Sequence, residues 1–401
     1  MPVALLALII SAFGIGTTEF ITMGLVPQLT DEFDVSVPAV GLLVSAYAFG
    51  VTVGAPVLTA LGARLPRKTM LLGLMVLYLA GNVVSALAPS YGVLMTGRVV
   101  ASLTHGAFFG IGAVVAAELV APDRKARAIA LMFTGVTLAN VLGAPAGAAI
   151  GQQFGWRAAF WAIVAIGLVA FAGLAALVPA QPRPEDAGLR TEIAAFARPQ
   201  VWLALGMTAI GYAPVFAIYT YIEPISTRVA GFDGGAVPIV MVLFGVGLVA
   251  GNLFGGRLAD RALTPAIYAT LGGITVVALV FSITAHSRAA LVVTVVVFGF
   301  VGFASVPPLQ MRMLNAAEGA PALASAANIG AFNLGNALGP FLSGLAIDAG
   351  LGYTSTSWVG GGLGAAGLAI ALAAGVLARA DRRPAHARPD ATPRDRVTDR
   401  S

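Results

Sequence analysis

Few side chains in this chain can do chemistry, and one of them stands where charge is expensive. Glu19 lies in "SAFGIGTTEFITMGLVP", residues 11–27, a stretch otherwise suited to hydrocarbon. Arg98, in "GRVVASLTHGAFFG", residues 97–110, is the one basic residue inside an apolar segment. Ionisable groups in such segments face the protein interior or a water-filled path, and pair there. Each lies six or seven residues from the same end of its segment, roughly 10 Å deep at about 1.5 Å per residue. The two are therefore expected to pair, directly or through water. Desolvation favours a neutral carboxyl, whereas arginine and water favour the carboxylate. A rearrangement that altered those contacts would make Glu19 bind and release a proton. The competing reading is a permanent ion pair that locks two helices together.

Other polar groups fall into stripes. Arg98, Ser102, His105 and Phe109 are spaced i, i+4, i+7 and i+11, which is one helical face. Tyr212, Phe216, Tyr219 and Glu223 repeat that spacing. Thr137, Asn140, Gln310, Asn328, Asn333 and Asn336 add hydrogen-bonding groups to further apolar segments. Glu19 with Arg98 is read as a proton-coupling pair. Ser102, His105, Phe109, Thr137, Asn140, Tyr212, Phe216, Tyr219, Gln310, Asn333 and Asn336 are read as a substrate path. Taken singly, each aromatic would suit core packing and His105 a hydrogen-bonded interior, so the stripes carry the argument. No cysteine is present, and His105, His286 and His386 are scattered. No metal site, disulfide, cofactor or nucleophile–base set is expected, and an enzyme is disfavoured.

These residues need elements to carry them. Of the 401 residues, 58% are hydrophobic and 10% charged, against about 25% charged in soluble domains. The solvent for most of the chain is lipid. At roughly 20 apolar residues per crossing, twelve spans are expected, near 3–26, 38–62, 69–88, 92–117, 128–150, 158–178, 201–223, 236–259, 265–285, 289–311, 322–346 and 357–378. The first lacks a basic leader and a cleavage motif, so it is expected as a retained helix. With both termini cytoplasmic, 19 of the 23 basic residues fall in cytoplasmic loops and the tail, as positive-inside topology requires. The net charge of +5 thus reflects topology, and no nucleic acid is expected as partner.

The segment "PAQPRPEDAGLRTEIAAFARPQ", residues 179–200, is rich in proline and charge and divides the chain. Residues 1–178 and 201–378 are expected as six-helix bundles, with 179–200 a cytoplasmic linker. Residues 379–401, with seven arginines and three prolines, are expected as a disordered cytoplasmic tail. The halves align at an offset of about 197: "VGAPVLTALGAR" (53–64) over "AGNLFGGRLADR" (250–261), and "TLANVLG" (137–143) over "NLGNALG" (333–339). Parallel six-span repeats are a transporter architecture, with the substrate path near the midplane. Under this alignment Glu19 falls on Phe216 and Arg98 on Val295, so neither charge is repeated.

Two motifs remain. "GRLADR", 256–261, offers Arg257, Asp260 and Arg261 at a helix end, where a carboxylate can pair with arginines or cap a neighbour. Gly143, Gly147 and Gly151 in "GVTLANVLGAPAGAAIG" permit close helix contact, and Pro145 permits a bend.

Together these pieces resemble the major facilitator superfamily over essentially the whole chain. GRLADR resembles its loop motif, and "TALGARLPRK" (59–68) keeps Arg64 but has Ala63 where the acid is expected. Arg98 resembles the buried arginine of its fourth-span motif. The span-five run is similar to a motif associated with antiporters. "GTTEF", "HGAFFG", "VPPLQMR" and "NIGAFNLGNALG" resemble the bacterial arabinose-efflux-permease and drug–proton antiporter branch, which includes sugar, nucleoside and drug exporters. The resemblance implies a monomeric inner-membrane antiporter that exports small organic molecules against protons by alternating access. It assigns gating to Asp260, Arg257, Arg261, Arg64, Gly143, Pro145 and Gly147. Proton-coupled import is the runner-up, and a channel is disfavoured for want of a filter or charge ring.

Overall fold

The computed structural model describes residues 2–62, 65–121, 125–180, 194–317 and 321–381. Arg64 with Ala63, most of the 179–200 linker and nearly all of the 379–401 tail lie outside the described residues. In hydrocarbon the backbone must satisfy its own hydrogen bonds, and the regular structure is accordingly all helix, with no strand among the described residues. The first half holds α1 (Ala4–Phe20), α2 (Val26–Phe33), α3 (Val37–Gly62), α4 (Arg67–Ala86), α5 (Tyr91–Glu118), α6 (Lys125–Leu138), α7 (Ala144–Phe154) and α8 (Trp156–Leu177). The second holds α9 (Pro199–Tyr219), α10 (Val237–Arg261), α11 (Leu263–Thr284), α12 (Arg288–Ala304), α13 (Val306–Ala316), α14 (Pro321–Ala346) and α15 (Ser355–Asp381).

Among the described residues, eleven helical stretches are long and apolar enough to cross a bilayer, and they coincide with eleven of the twelve expected spans. The twelfth expectation, 322–346, is also one helix, the 26-residue α14. Ser325, Asn328, Asn333, Asn336 and Ser343 lower its apolar character, so composition and not length sets it apart. Three spans differ in detail from the expectation. The first tightens into a 3₁₀ turn at Ile21–Gly24, and the short helix α2 follows. The fifth widens into a π turn at Ala139–Gly143 just before Pro145, whose missing N–H cannot continue an α-helical ladder. The tenth breaks at Ser305, where Pro307 and Pro308 start a new helix.

The repeat seen in sequence is also a repeat of contacts. A Cβ on Gly54 of α3 would lie 2.5 Å from the Leu103 Cα of α5. Gly251 of α10 meets Phe300 of α12 in the same way, and both pairs are related by 197 residues. Gly143 lies against Thr17, and Gly339 against Ala213, at an offset of 196. Glycine at these points lets two backbones touch.

Burial sorts the helices by environment. In the most apolar window of α8 and of α15, 33% of residues are buried, against 78% in the first span and 72% in α9. Helices α8 and α15, poor in polar side chains, therefore turn apolar faces outward, while α1 and α9 occupy the centre. Helix α14 packs on α9 and also on α3 of the first half. Thr52 Oγ1 donates to the Gly330 carbonyl (3.2 Å), joining the halves, and within the second half Tyr221 Oη donates to the Pro340 carbonyl (2.9 Å).

Gly54→Leu should lower the unfolding temperature of the detergent-solubilised protein, because overpacking here costs about 1–3 kcal/mol. Gly73→Ala, with open space around the added Cβ, should leave it unchanged or slightly raised.

Candidate functional site

Glu19 sits one residue before the end of α1 and is 6% exposed. Two elements approach its carboxylate. From α14 the Asn336 amide donates through Nδ2 to Oε1 at 3.3 Å. From α5 the His105 Nε2 lies 4.0 Å from Oε2, and the other ring nitrogen, Nδ1, lies 3.4 Å from Tyr47 Oη of α3. One carboxylate thus has a neighbour from each half of the chain.

Arg98 is fully buried, and it makes no direct bond to the carboxylate, the first of the two pairings the sequence suggests. Its Nη1 donates to the Thr18 carbonyl, and its Nη2 to the Glu19 carbonyl at 3.3 Å. The guanidinium also lies 4.4 Å above the centre of the Tyr47 ring. The last carbonyls of a helix lack partners within it and form the negative end of its dipole. A planar fork with several donors suits two neighbouring carbonyls and an aromatic face together. The charge of Arg98 is thus met by the end of α1, which leaves the Glu19 side chain to other partners. Thr18 adds a tie to α4, its Oγ1 lying 2.8 Å from Tyr78 Oη and 3.5 Å from Asn82 Oδ1.

The span-five glycines position this helix end. Gly143, Gly147 and Gly151 lie against Thr17, Ile21 and Leu25, one row of small residues against one row on the first span. The buried Pro145 starts α7 just after the π turn. On the other side Gly245 of α10 lies against Val141 and the Asn140 carbonyl. The motif thus forms the seat of the segment that carries Glu19.

Other expected path residues fall into two groups. His105 packs on Phe109 (ring centroids 4.9 Å apart), and Phe109 stacks on Phe133 (5.3 Å). Phe20, beside Glu19, meets Phe216 at 5.7 Å, and Phe216 meets Tyr212 at 6.3 Å. Tyr212 continues to Phe303 and Phe332, and Tyr219 stacks on Phe244 at 3.9 Å. Asn140 and Asn333 are buried and donate to Val136 and Ile329 of their own helices. Ser102 is buried with its hydroxyl on the Val99 carbonyl, and Thr137 is half-buried. Gln310 is bound to Ser325 (2.9 Å) and Asn328 (2.7 Å), which ties α13 to α14. Arg257, Asp260 and Arg261 are exposed near the end of α10, and Asp260 forms no ion pair among the described residues. Arg64 lies outside them.

Sequence reasoning missed Tyr47, Tyr78 and Asn82. They lie in spans two and three, where a tyrosine among apolar residues ordinarily signals packing. The available signal was their presence in otherwise apolar helices.

The family model described as Major Facilitator Superfamily matches residues 8–330. An inner membrane transport protein, YdhP, of Escherichia coli (strain K12) is 45% identical over 371 residues, 92% of this chain and 94% of the relative. A chloramphenicol resistance protein of Streptomyces lividans is 36% identical over 377 residues, 92% and 96% of the two chains. Among solved structures, a bacterial homolog of the human lysosomal transporter Spinster, inward-facing and unoccupied, matches with a TM-score of 0.70 at 18% identity. That match covers 93% of this chain and 95% of the other, a likeness of fold.

Arg98→Lys keeps the charge but loses the fork. It should destabilise the purified protein by about 1–3 kcal/mol through an unsatisfied buried carbonyl, measured as a lower unfolding temperature. An unchanged temperature would show that the two carbonyl bonds carry little weight.

Proposed function

The chain belongs to the major facilitator superfamily, and from that premise we propose that it is a proton-coupled antiporter exporting small organic molecules. Membership makes it a multi-pass membrane transporter of small molecules and not an enzyme. The finer reading rests on one observation: a carboxylate buried in the centre of the helices, touched by side chains of both halves. A group so placed feels any movement of the halves against each other, and its proton affinity follows its partners. Alternating access is that movement. We assign it to bundles 1–178 and 201–378, joined by a cytoplasmic linker at 179–200, in a monomer with both termini and the 379–401 tail cytoplasmic.

Outward transport and the bacterial inner membrane are supported by the names of relatives, an inner membrane transport protein and a resistance protein. The aromatic series from Phe20 to Phe332, with Asn140, Asn333 and Asn336, suits a weakly polar organic cargo better than a strong cation. Sugars, nucleosides and drugs are the classes to screen, comparing export from cells with and without the protein.

Glu19→Gln retains size and hydrogen bonding but does not titrate. With a cargo found by that screen, the variant in liposomes should lose accumulation driven by a pH gradient, while downhill exchange survives. The driving force at stake is large: one charge across 100 mV is worth about 2.3 kcal/mol, a gradient of roughly fifty-fold. Wild-type accumulation in Glu19→Gln would move the proton elsewhere.

Asp260 is proposed as a gating residue at its exposed helix end. Asp260→Asn should slow exchange without affecting insertion, since Ala63 in the matching loop supplies no second acid. Wild-type exchange rates would reduce GRLADR to a topogenic loop.

A further inference from the structure

Asn336 occupies an unusual position. It is 5% exposed, and of the 26 residues in α14 it is the one whose side chain donates to the carboxylate of the other half. Helix α14 contains no titratable side chain, and among its described side chains this amide is the one hydrogen-bonded to Glu19. The residue four positions further on is Pro340, inside the same helix. A proline within a helix leaves the carbonyl of residue i−4 without its helical donor and bends the axis there. That carbonyl belongs to Asn336, so the contact with Glu19 sits where α14 lacks one rung of its hydrogen-bond ladder.

The repeat provides an internal comparison. Asn336 aligns with Asn140, and Glu19 aligns with Phe216. Of the two pseudo-equivalent pairings between halves, one joins an amide to a carboxylate and the other would set an amide against a phenyl ring. Asn140 donates instead to Val136, and its Oδ1 is buried without a partner. The hydrogen bond is thus one-sided in a molecule whose backbone contacts are two-sided.

We propose that Asn336 is a positioning residue for proton coupling, a donor that holds Glu19 ionised only while α14 lies against the end of α1. This rests on the coupling role proposed above for Glu19. A donor to the charged form lowers a carboxyl's proton affinity. When α14 moves away in the transport cycle, the donor leaves and the affinity rises, so a proton is taken up in one arrangement and released in the other. The groups facing Glu19 from its own half belong to helices that stay with it. These are Arg98 on the main chain of residues 18 and 19, His105 at 4.0 Å, Tyr47 beside His105, and Tyr78 through Thr18. On α8, Arg157 is engaged with Glu32 and the Ala88 carbonyl. From the second half, Tyr212 of α9 adjoins Phe216, which meets Phe20 beside Glu19.

The test reads the proton directly and needs no cargo. Purified protein in vesicles of phosphatidylethanolamine and phosphatidylglycerol is titrated by infrared spectroscopy, and the Glu19 carboxyl band is identified by its loss in Glu19→Gln. Asn336→Ala should raise the midpoint of that band by about one pH unit, a tenfold gain in proton affinity. Asn336→Gln, which keeps an amide donor, should restore most of the shift. An unchanged midpoint in a folded Asn336→Ala protein overturns the proposal, as does an equal rise in both variants, which would mark altered packing. If Asn336→Ala does not fold, Asn336→Ser supplies the same comparison through a weaker donor. Absence of any band removed by Glu19→Gln would overturn the coupling reading itself, a distinct outcome.

Discussion

A guanidinium held by the end of a helix is the interaction on which the centre of this protein depends. Arg98 is an obligatory charge in a medium without water to receive it. Pairing with Glu19 would neutralise both groups and leave neither with anything to report. Instead the carbonyls of Thr18 and Glu19, with the face of Tyr47, accept the arginine. The end of α1 supplies the required negative potential as a property of its backbone. The carboxylate one bond series away is then free to respond to side chains that move.

Everything packed around α1 serves to hold that helix end in place. A row of glycines in the fifth span lies on Thr17, Ile21 and Leu25, and Thr18 is tied to Tyr78 and Asn82 of α4. These contacts lie within the first half. Asn336 comes from the second, on a helix with Pro340 inside it. Contacts from one half together with a contact from the other are what a carrier needs if a proton is to distinguish its two arrangements. The aromatic series that begins at Phe20 and runs through Phe216 and Tyr212 starts beside the same carboxylate, so the cargo path and the coupling group that we propose adjoin.

The architecture was largely legible in the sequence because lipid imposes a severe rule. Each crossing needs about 20 apolar residues in helical form, and eleven expected spans appear where composition placed them. The twelfth, α14, shows how the same rule weakens: a helix sheltered by α3 and α9 can carry three asparagines, and its apolar signal fades. The glycine matches at an offset of 197 were likewise readable, since a backbone contact admits no side chain and so constrains the residue type.

The partners of the polar groups were not readable. Sequence located Glu19 and Arg98 at one depth on helices of one half, and depth follows from counting residues. Whether the arginine meets the carboxylate or the carbonyls behind it depends on helix rotation, the 3₁₀ turn at Ile21–Gly24 and the position of Tyr47. None of these leaves a periodic trace. The link from Asn336 to Glu19 spans 317 positions and joins residues that the repeat alignment pairs with others. Periodicity along one helix determines which residues share a face; only the packing of several helices determines which faces meet.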